Sequence, residues 1–133
     1  YDFLDINLKE KLIDLEAVNS NKSVVLLAGA DPSLEKTIKH PVFRTHPETG
    51  KKALFVTRAF VERIDGLSNE ENEEVLAKLY TQASDEKFRY EHKWHNGDMV
   101  VWDNRCVQHY AVHDHGDKTR TLQRITVSGS KPY

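Results

Sequence analysis

The sequence predicts a mainly β fold with packed helices, an irregular antiparallel sandwich or barrel rather than a parallel α/β sheet. Three observations carry this. Residues 88–128 read as short apolar or alternating runs separated by turn residues. Residues 41–57 read as a hairpin, extended where prolines bound it and turning at Thr49-Gly50. Against these strands stands one helix with a strong start signal, about 68–83, too isolated to be part of a repeated strand–helix alternation.

Each element has its own reason. Leu8, Leu12 and Leu15 recur at helical spacing with charges between them, which predicts an amphipathic helix over 7–18. Asn19-Ser-Asn-Lys breaks it. Val24–Leu27 is a short apolar run that fits strand or helix equally, and Ala30-Asp-Pro-Ser is a turn that a short helical turn can follow. Pro41 and Pro47 bias His40 and His46 toward extended backbone, and Lys52–Thr57 forms the returning strand. Ser68-Asn-Glu-Glu71 is a capping box, after which Val75, Leu76, Leu79, Tyr80 and Ala83 supply one apolar face. Phe88–Trp94 alternates bulky and charged side chains, Asn96-Gly97 marks a hairpin turn, and Met99–Trp102 follows as a buried strand. Asp103-Asn104 turns the chain into Val107–Ala111, and a loop over His113–Lys118 leads to a last strand at about 120–128.

Composition narrows the function classes. A chain of 133 residues with 38% hydrophobic and 30% charged residues can build one domain with its own core. Its net charge of −2 gives no electrostatic case for nucleic acid. No apolar run approaches the roughly 20 residues that span a bilayer. A single cysteine, Cys106, excludes an internal disulfide and fits a reducing, cytoplasmic compartment. The chain opens on Tyr1-Asp-Phe-Leu-Asp, which reads as the interior of a protein.

The residues that bear chemistry cluster between Trp102 and Arg124. His109 follows a short apolar run, Arg120 comes eleven residues later, and Arg124 four after that. On a strand over 120–128, Arg120, Leu122 and Arg124 share one face, so both guanidinium groups point into the same space near His109. An imidazole suits a transition metal, and a guanidinium fork suits a carboxylate or sulfonate. The bland alternative is an edge strand with its arginines in solvent. The opposite face (Thr121, Gln123, Ile125, Val127) is only half apolar, so periodicity does not decide which side is buried. If the arginines are enclosed, they require an anion. His109, His113 and His115 could instead hold zinc, but their spacing matches no structural-zinc pattern. His115-Gly-Asp117 and His46-Pro-Glu48 match or approach His-x-Asp, a pattern short enough to recur by chance. Cys106, Trp94, Trp102, Phe60 and Tyr110 read more simply as packing residues, and Glu70, Glu71, Glu73 and Glu74 as a solvated helix start.

His40-Pro-Val-Phe-Arg-Thr-His-Pro-Glu-Thr-Gly-Lys-Lys-Ala-Leu-Phe-Val56, Trp102-Asp-Asn-Arg-Cys-Val-Gln-His-Tyr-Ala111 and Arg120-Thr-Leu-Gln-Arg124 resemble the C-terminal part of the taurine dioxygenase family. The likeness runs from about residue 40 to the end and is weaker before it. The resemblance implies a double-stranded β-helix, jelly-roll-like and incomplete in this chain. It implies an Fe(II)- and 2-oxoglutarate-dependent dioxygenase that hydroxylates a small anionic substrate with O2, releasing succinate and CO2, and sulfite where the substrate is a sulfonate such as taurine. By motif match it makes His109 the distal iron ligand and Arg120 the partner of the distal carboxylate of 2-oxoglutarate. Arg124 falls near the cosubstrate and the substrate's anionic group, Phe60 on an aromatic wall of the substrate pocket, and Trp102 close to the metal.

One departure is large. The family's His-x-Asp iron ligands and the threonine that binds the cosubstrate lie upstream of the distal histidine, and they have no match here. The expectation is that residues 1–133 are the C-terminal part of a single dioxygenase domain, holding one of three iron ligands and inactive alone. The competing expectation is a non-catalytic β-domain that acts as an anion-binding or assembly module. Homo-oligomers are compatible with the resemblance, and composition leaves the oligomeric state open.

Overall fold

The computed structural model describes residues 1–133. Helix α1 (Ile6–Leu12) starts at Asp5, whose carboxylate accepts from the N–H groups of Asn7 and Leu8. Strand β1 (Glu16–Ser20) follows, then the short helix α2 (Lys22–Leu27). A turn of 3-10 helix at Pro32–Leu34 leads into β2 (Thr37–Pro41). The hairpin β3 (Phe43–Thr45) and β4 (Lys52–Leu54) precedes β5 (Val61–Ile64) and helix α3 (Asn69–Ala83).

Two antiparallel sheets result. β1 lies between β2 and β5, with a register shift at Val18/Asn19 on the β5 side. β3 pairs with β4, Phe43 opposite Leu54 and Thr45 opposite Lys52. Between them the chain turns at Gly50, whose φ of 68° suits a residue without a side chain. Val42 joins the two sheets: its N–H donates to the Leu15 carbonyl, and its own carbonyl accepts from Phe55.

The core is built from these elements. Leu12, Ile64, Leu79, Val42 and Val56 are fully buried, Phe43 is nearly so, and Tyr1 meets the Phe43 ring edge-on at 5.0 Å. Helix α3 contributes Val75 and Leu79. It is fixed at its start by the predicted capping box, in which Ser68 Oγ accepts from Glu71 N–H and Glu71 accepts from Ser68 N–H. One turn on, Asn72 is buried and does the work of a strand partner. Its Oδ1 accepts from Ile64 N–H at 2.6 Å, while its Nδ2 donates to the carbonyls of Ile64, Leu67 and Ser68. Helix and sheet are thereby joined by hydrogen bonds as well as by packing.

The 41–57 hairpin, its turn, the 68–83 helix and the turn at 96–97 stand as the sequence predicts. The ambiguous 24–27 run is helical. Other expectations are corrected. The helix over 7–18 stops at Leu12, because Glu16–Ser20 pairs on both sides as the central strand, and two ladders outweigh a modest helix propensity. The strands expected at 88–94, 99–102, 107–111 and 120–128 do not form: residues 89–133 contain turns and irregular backbone. Every buried residue lies between Leu4 and Leu79. Met99, Val101, Ile125 and Val127 stand more than four-fifths exposed. Strands gain stability from a neighbouring ladder and a covered face, and these segments meet neither within the chain.

Asn72 yields a measurable consequence. Asn72→Ala leaves the buried N–H and C=O of Ile64 without partners, at about 1–3 kcal/mol per group. Ser68→Ala removes one exposed cap at about 1 kcal/mol. Urea unfolding of the two variants is expected to place Asn72→Ala well below Ser68→Ala in midpoint.

Candidate metal and anion site

The segment 102–109 lies against the β3–β4 hairpin although it forms no strand of its own. Two tethers hold it. Near its end, Gln108 Nε2 donates to the carbonyl of fully buried Val56 at 2.7 Å. Near its start, Asp103 and Arg105 meet the turn after β3. Arg105 grips Asp103 through Nε and Nη2 and reaches Glu48 with Nη1 at 2.8 Å. The backbone N–H of Arg105 also donates to Asp103. The fourth donor to Asp103 is His46. Its Nδ1 faces the N–H groups of Glu48 and Thr49, so Nδ1 must accept, and Nε2 carries the proton donated to Asp103 Oδ2 at 3.2 Å. The Arg105 side chain, then its backbone N–H, then His46 hold the Asp103 carboxyl well below the usual carboxylate range. The Arg105 guanidinium is pushed up in return, by Asp103 first and Glu48 next.

His46, Asp103 and Cys106 place potential ligand atoms within 4.8 Å of one another. Their donors are already committed. Both nitrogens of His46 are hydrogen-bonded and both oxygens of Asp103 accept from Arg105, so a cation here would have to displace a guanidinium. The group is a hydrogen-bonded clasp and not a metal centre.

A second cluster is centred on Trp102. The rings of Trp102 and His109 lie 4.9 Å apart, and the Arg124 guanidinium sits over the indole at 5.8 Å. Trp102 is itself oriented by its indole N–H, which donates to Asn104 Oδ1 at 2.8 Å. Burial against this surface, and secondarily the charge of Arg124, lower the pKa of His109. Both effects favour the neutral imidazole over the charged one.

The sequence-predicted residues divide accordingly. His109 and Arg124 are brought together. Arg120 is not: its Nη1 donates to the Val112 carbonyl at 3.1 Å, closing the intervening loop. The shared strand face expected for Arg120, Leu122 and Arg124 is absent because no strand forms there. Phe60 stands 41% exposed, its N–H donating to Thr57 in the turn that directly follows Val56, the anchor of Gln108. His113 and His115 have ring centres 6.2 Å apart, and His115 Nδ1 bonds the Gly116 carbonyl; with His109 they form no ligand group. Glu48, the carboxylate of the approximate His-x-Asp match, is taken by Arg105. Sequence reading missed the clasp and Gln108, since His46 and Asp103 are 57 residues apart and Gln108 and Val56 are 52.

Comparison with known proteins adds to this geometry. Residues 1–126 match the family described as taurine catabolism dioxygenase TauD, TfdA family. The chain belongs to this family. An alpha-ketoglutarate-dependent sulfate ester dioxygenase of Pseudomonas putida is 35% identical over 99% of the chain and 48% of its own length. An alkylsulfatase of Acinetobacter baylyi is 41% identical over 68% of the chain and 28% of its own length. A taurine dioxygenase crystal structure from Burkholderia xenovorans superposes with a TM-score of 0.60 at 28% identity, over 71% of the chain and 31% of that protein. This TauD-type chain thus spans half or less of the length of these relatives. Its strands and helices belong to the jelly-roll framework of TauD-type dioxygenases. No helix is long and apolar enough to cross a membrane.

The Trp102 cluster has a direct spectroscopic test. His109 should titrate below its ordinary value of about 6.5. Arg124→Gln should raise that midpoint only part-way, because burial is the larger cause. A lowered folded-state pKa means the fold favours neutral His109, so this contribution is complete above the ordinary value and is lost as pH falls through the lowered one. Ring-proton NMR of His109 across pH 4–8 measures both effects.

Proposed function

We propose that residues 1–133 form the distal-ligand part of an Fe(II)- and 2-oxoglutarate-dependent dioxygenase domain, acting on a small anionic substrate of the sulfonate or sulfate ester class. The observation that carries this reading is the cluster of His109, Trp102 and Arg124 in a chain of the TauD, TfdA family. The names of the relatives, which include a sulfate ester dioxygenase and an alkylsulfatase, support the substrate class.

Each residue has a role. His109 offers a neutral imidazole and would supply one iron ligand. The donor chemistry fits a single ligand from this chain, since the other histidine–carboxylate groups are engaged elsewhere. A His-x-Asp pair from another part of the domain would complete the facial triad. Arg124 would hold an anionic group of the cosubstrate or substrate above Trp102. Arg120 spends one of its five donors on Val112 and has the chemistry to grip the distal carboxylate of 2-oxoglutarate with others. Phe60 would wall the substrate side. The iron would supply the oxidation: one atom of O2 goes to the substrate carbon and the other to succinate, with loss of CO2. On a sulfonate, the hydroxylated carbon then releases sulfite. The lone cysteine fits a cytoplasmic setting for this chemistry.

Calorimetric titration of the full protein with 2-oxoglutarate, with and without Fe(II) under anaerobic conditions, tests the reading. Chelation predicts strong metal dependence, abolished by His109→Ala. Arg120→Ala and Arg124→Ala should each weaken 2-oxoglutarate or substrate binding about tenfold to a hundredfold, the loss of a charge-assisted bond. Binding of 2-oxoglutarate that is indifferent to metal would instead establish an anion-binding module.

A further inference from the structure

The bonds that the 102–109 segment makes within itself are short-range ones, such as Cys106 and Val107 N–H on the Asp103 carbonyl and the Trp102 indole N–H on Asn104. The segment has no strand ladder, and the residues it bears are exposed or half-buried. The position of His109 is therefore set by what the segment is tied to, and the ties converge on the hairpin. We propose that His46, Asp103, Arg105 and Glu48 form a positioning clasp that, with Gln108, fixes the location of His109. This rests on the reading of His109 as a metal ligand.

The clasp has the chemistry of a fixed joint. His46 is nine-tenths buried at the end of β3, where its Nδ1 accepts from the backbone of the turn at Glu48 and Thr49. That turn is closed independently by Gly50 N–H on the His46 carbonyl and by His46 N–H on Lys51. The imidazole thus has a rigid seat and a single outward-facing donor, Nε2–H, which meets Asp103. Asp103 in turn accepts from the backbone N–H of Arg105 and orders the first turn of the segment, where Val107 N–H also donates to the Asp103 carbonyl. Arg105 closes the ring back to the hairpin through Glu48. Five residues past Asp103, Gln108 anchors on Val56, a core residue just beyond β4. His109 is the next residue. A histidine with one or the other tie broken would keep its chemistry and lose its place.

The geometry also says which substitution should substitute for His46. The neutral imidazole presents one acceptor and one donor on opposite sides, and a glutamine amide can offer the same pair. A leucine fills the space and offers neither.

The experiment uses Co(II) as the probe, binding to the full protein, with hydrogen exchange over residues 103–108 as a second readout. His46→Leu is expected to weaken Co(II) binding about tenfold, the scale seen for groups that orient ligands without touching the metal, and to speed exchange in 103–108. His46→Gln should recover most of both. Arg105→Gln, on the surface side of the ring, provides the same test if His46→Leu fails to fold. Unchanged Co(II) affinity and unchanged exchange in folded His46→Leu or Arg105→Gln would overturn the clasp. His109→Ala separates the two ideas. If it abolishes Co(II) binding while the clasp variants do not weaken it, the clasp is wrong and the ligand reading survives. If it leaves Co(II) binding intact, the ligand reading itself fails and the clasp loses its object.

Discussion

β1 is the strand with a partner on each side, and the sheet it centres governs how far order extends through this chain. Around it the elements are mutually dependent. β2 and β5 take their hydrogen bonds from it, Val42 hands the chain from that sheet to the hairpin, and Asn72 fastens α3 to the end of β5. The buried residues all belong to this assembly. Beyond α3 the backbone finds no further ladder, and apolar residues that alternate as a strand would have them stand in solvent.

The candidate site lies at the border of these two regimes. Its chemistry is on the irregular side, with His109, Trp102 and Arg124. Its geometry comes from the ordered side, through His46, Glu48 and Val56. The charge pair of the clasp is only part-buried, with the Arg105 and Asp103 side chains 29% and 35% exposed. Asp103 accepts five hydrogen bonds from two residues, which fixes its geometry. The clasp also stays near the surface, where its Glu48 arm is solvated. The result is a specific joint rather than a large source of stability.

The sequence was most informative where its signals were local. A capping box spans four residues, a Thr-Gly turn two, and both formed where they were read. The family motifs were legible for the same reason, as contiguous runs from His40 to Val56 and from Trp102 to Ala111. It was least informative about strands. Alternation in 88–94 and 120–128 shows that these segments could pair but cannot name a partner, and within this chain there is none. The same limit placed Arg120 and Arg124 on a common face, whereas the structure sends one to the Val112 carbonyl and the other to Trp102.

By itself, then, the sequence determined the family, the helix α3 and the hairpin, because each is written in neighbours along the chain. The tertiary structure alone decided that Glu16–Ser20 is the central strand and not helix. It alone joined His46 to Asp103 and Gln108 to Val56, and it separated the two arginines. Contacts across more than fifty residues leave no periodic trace, and only the folded backbone brings such groups within a hydrogen bond of each other.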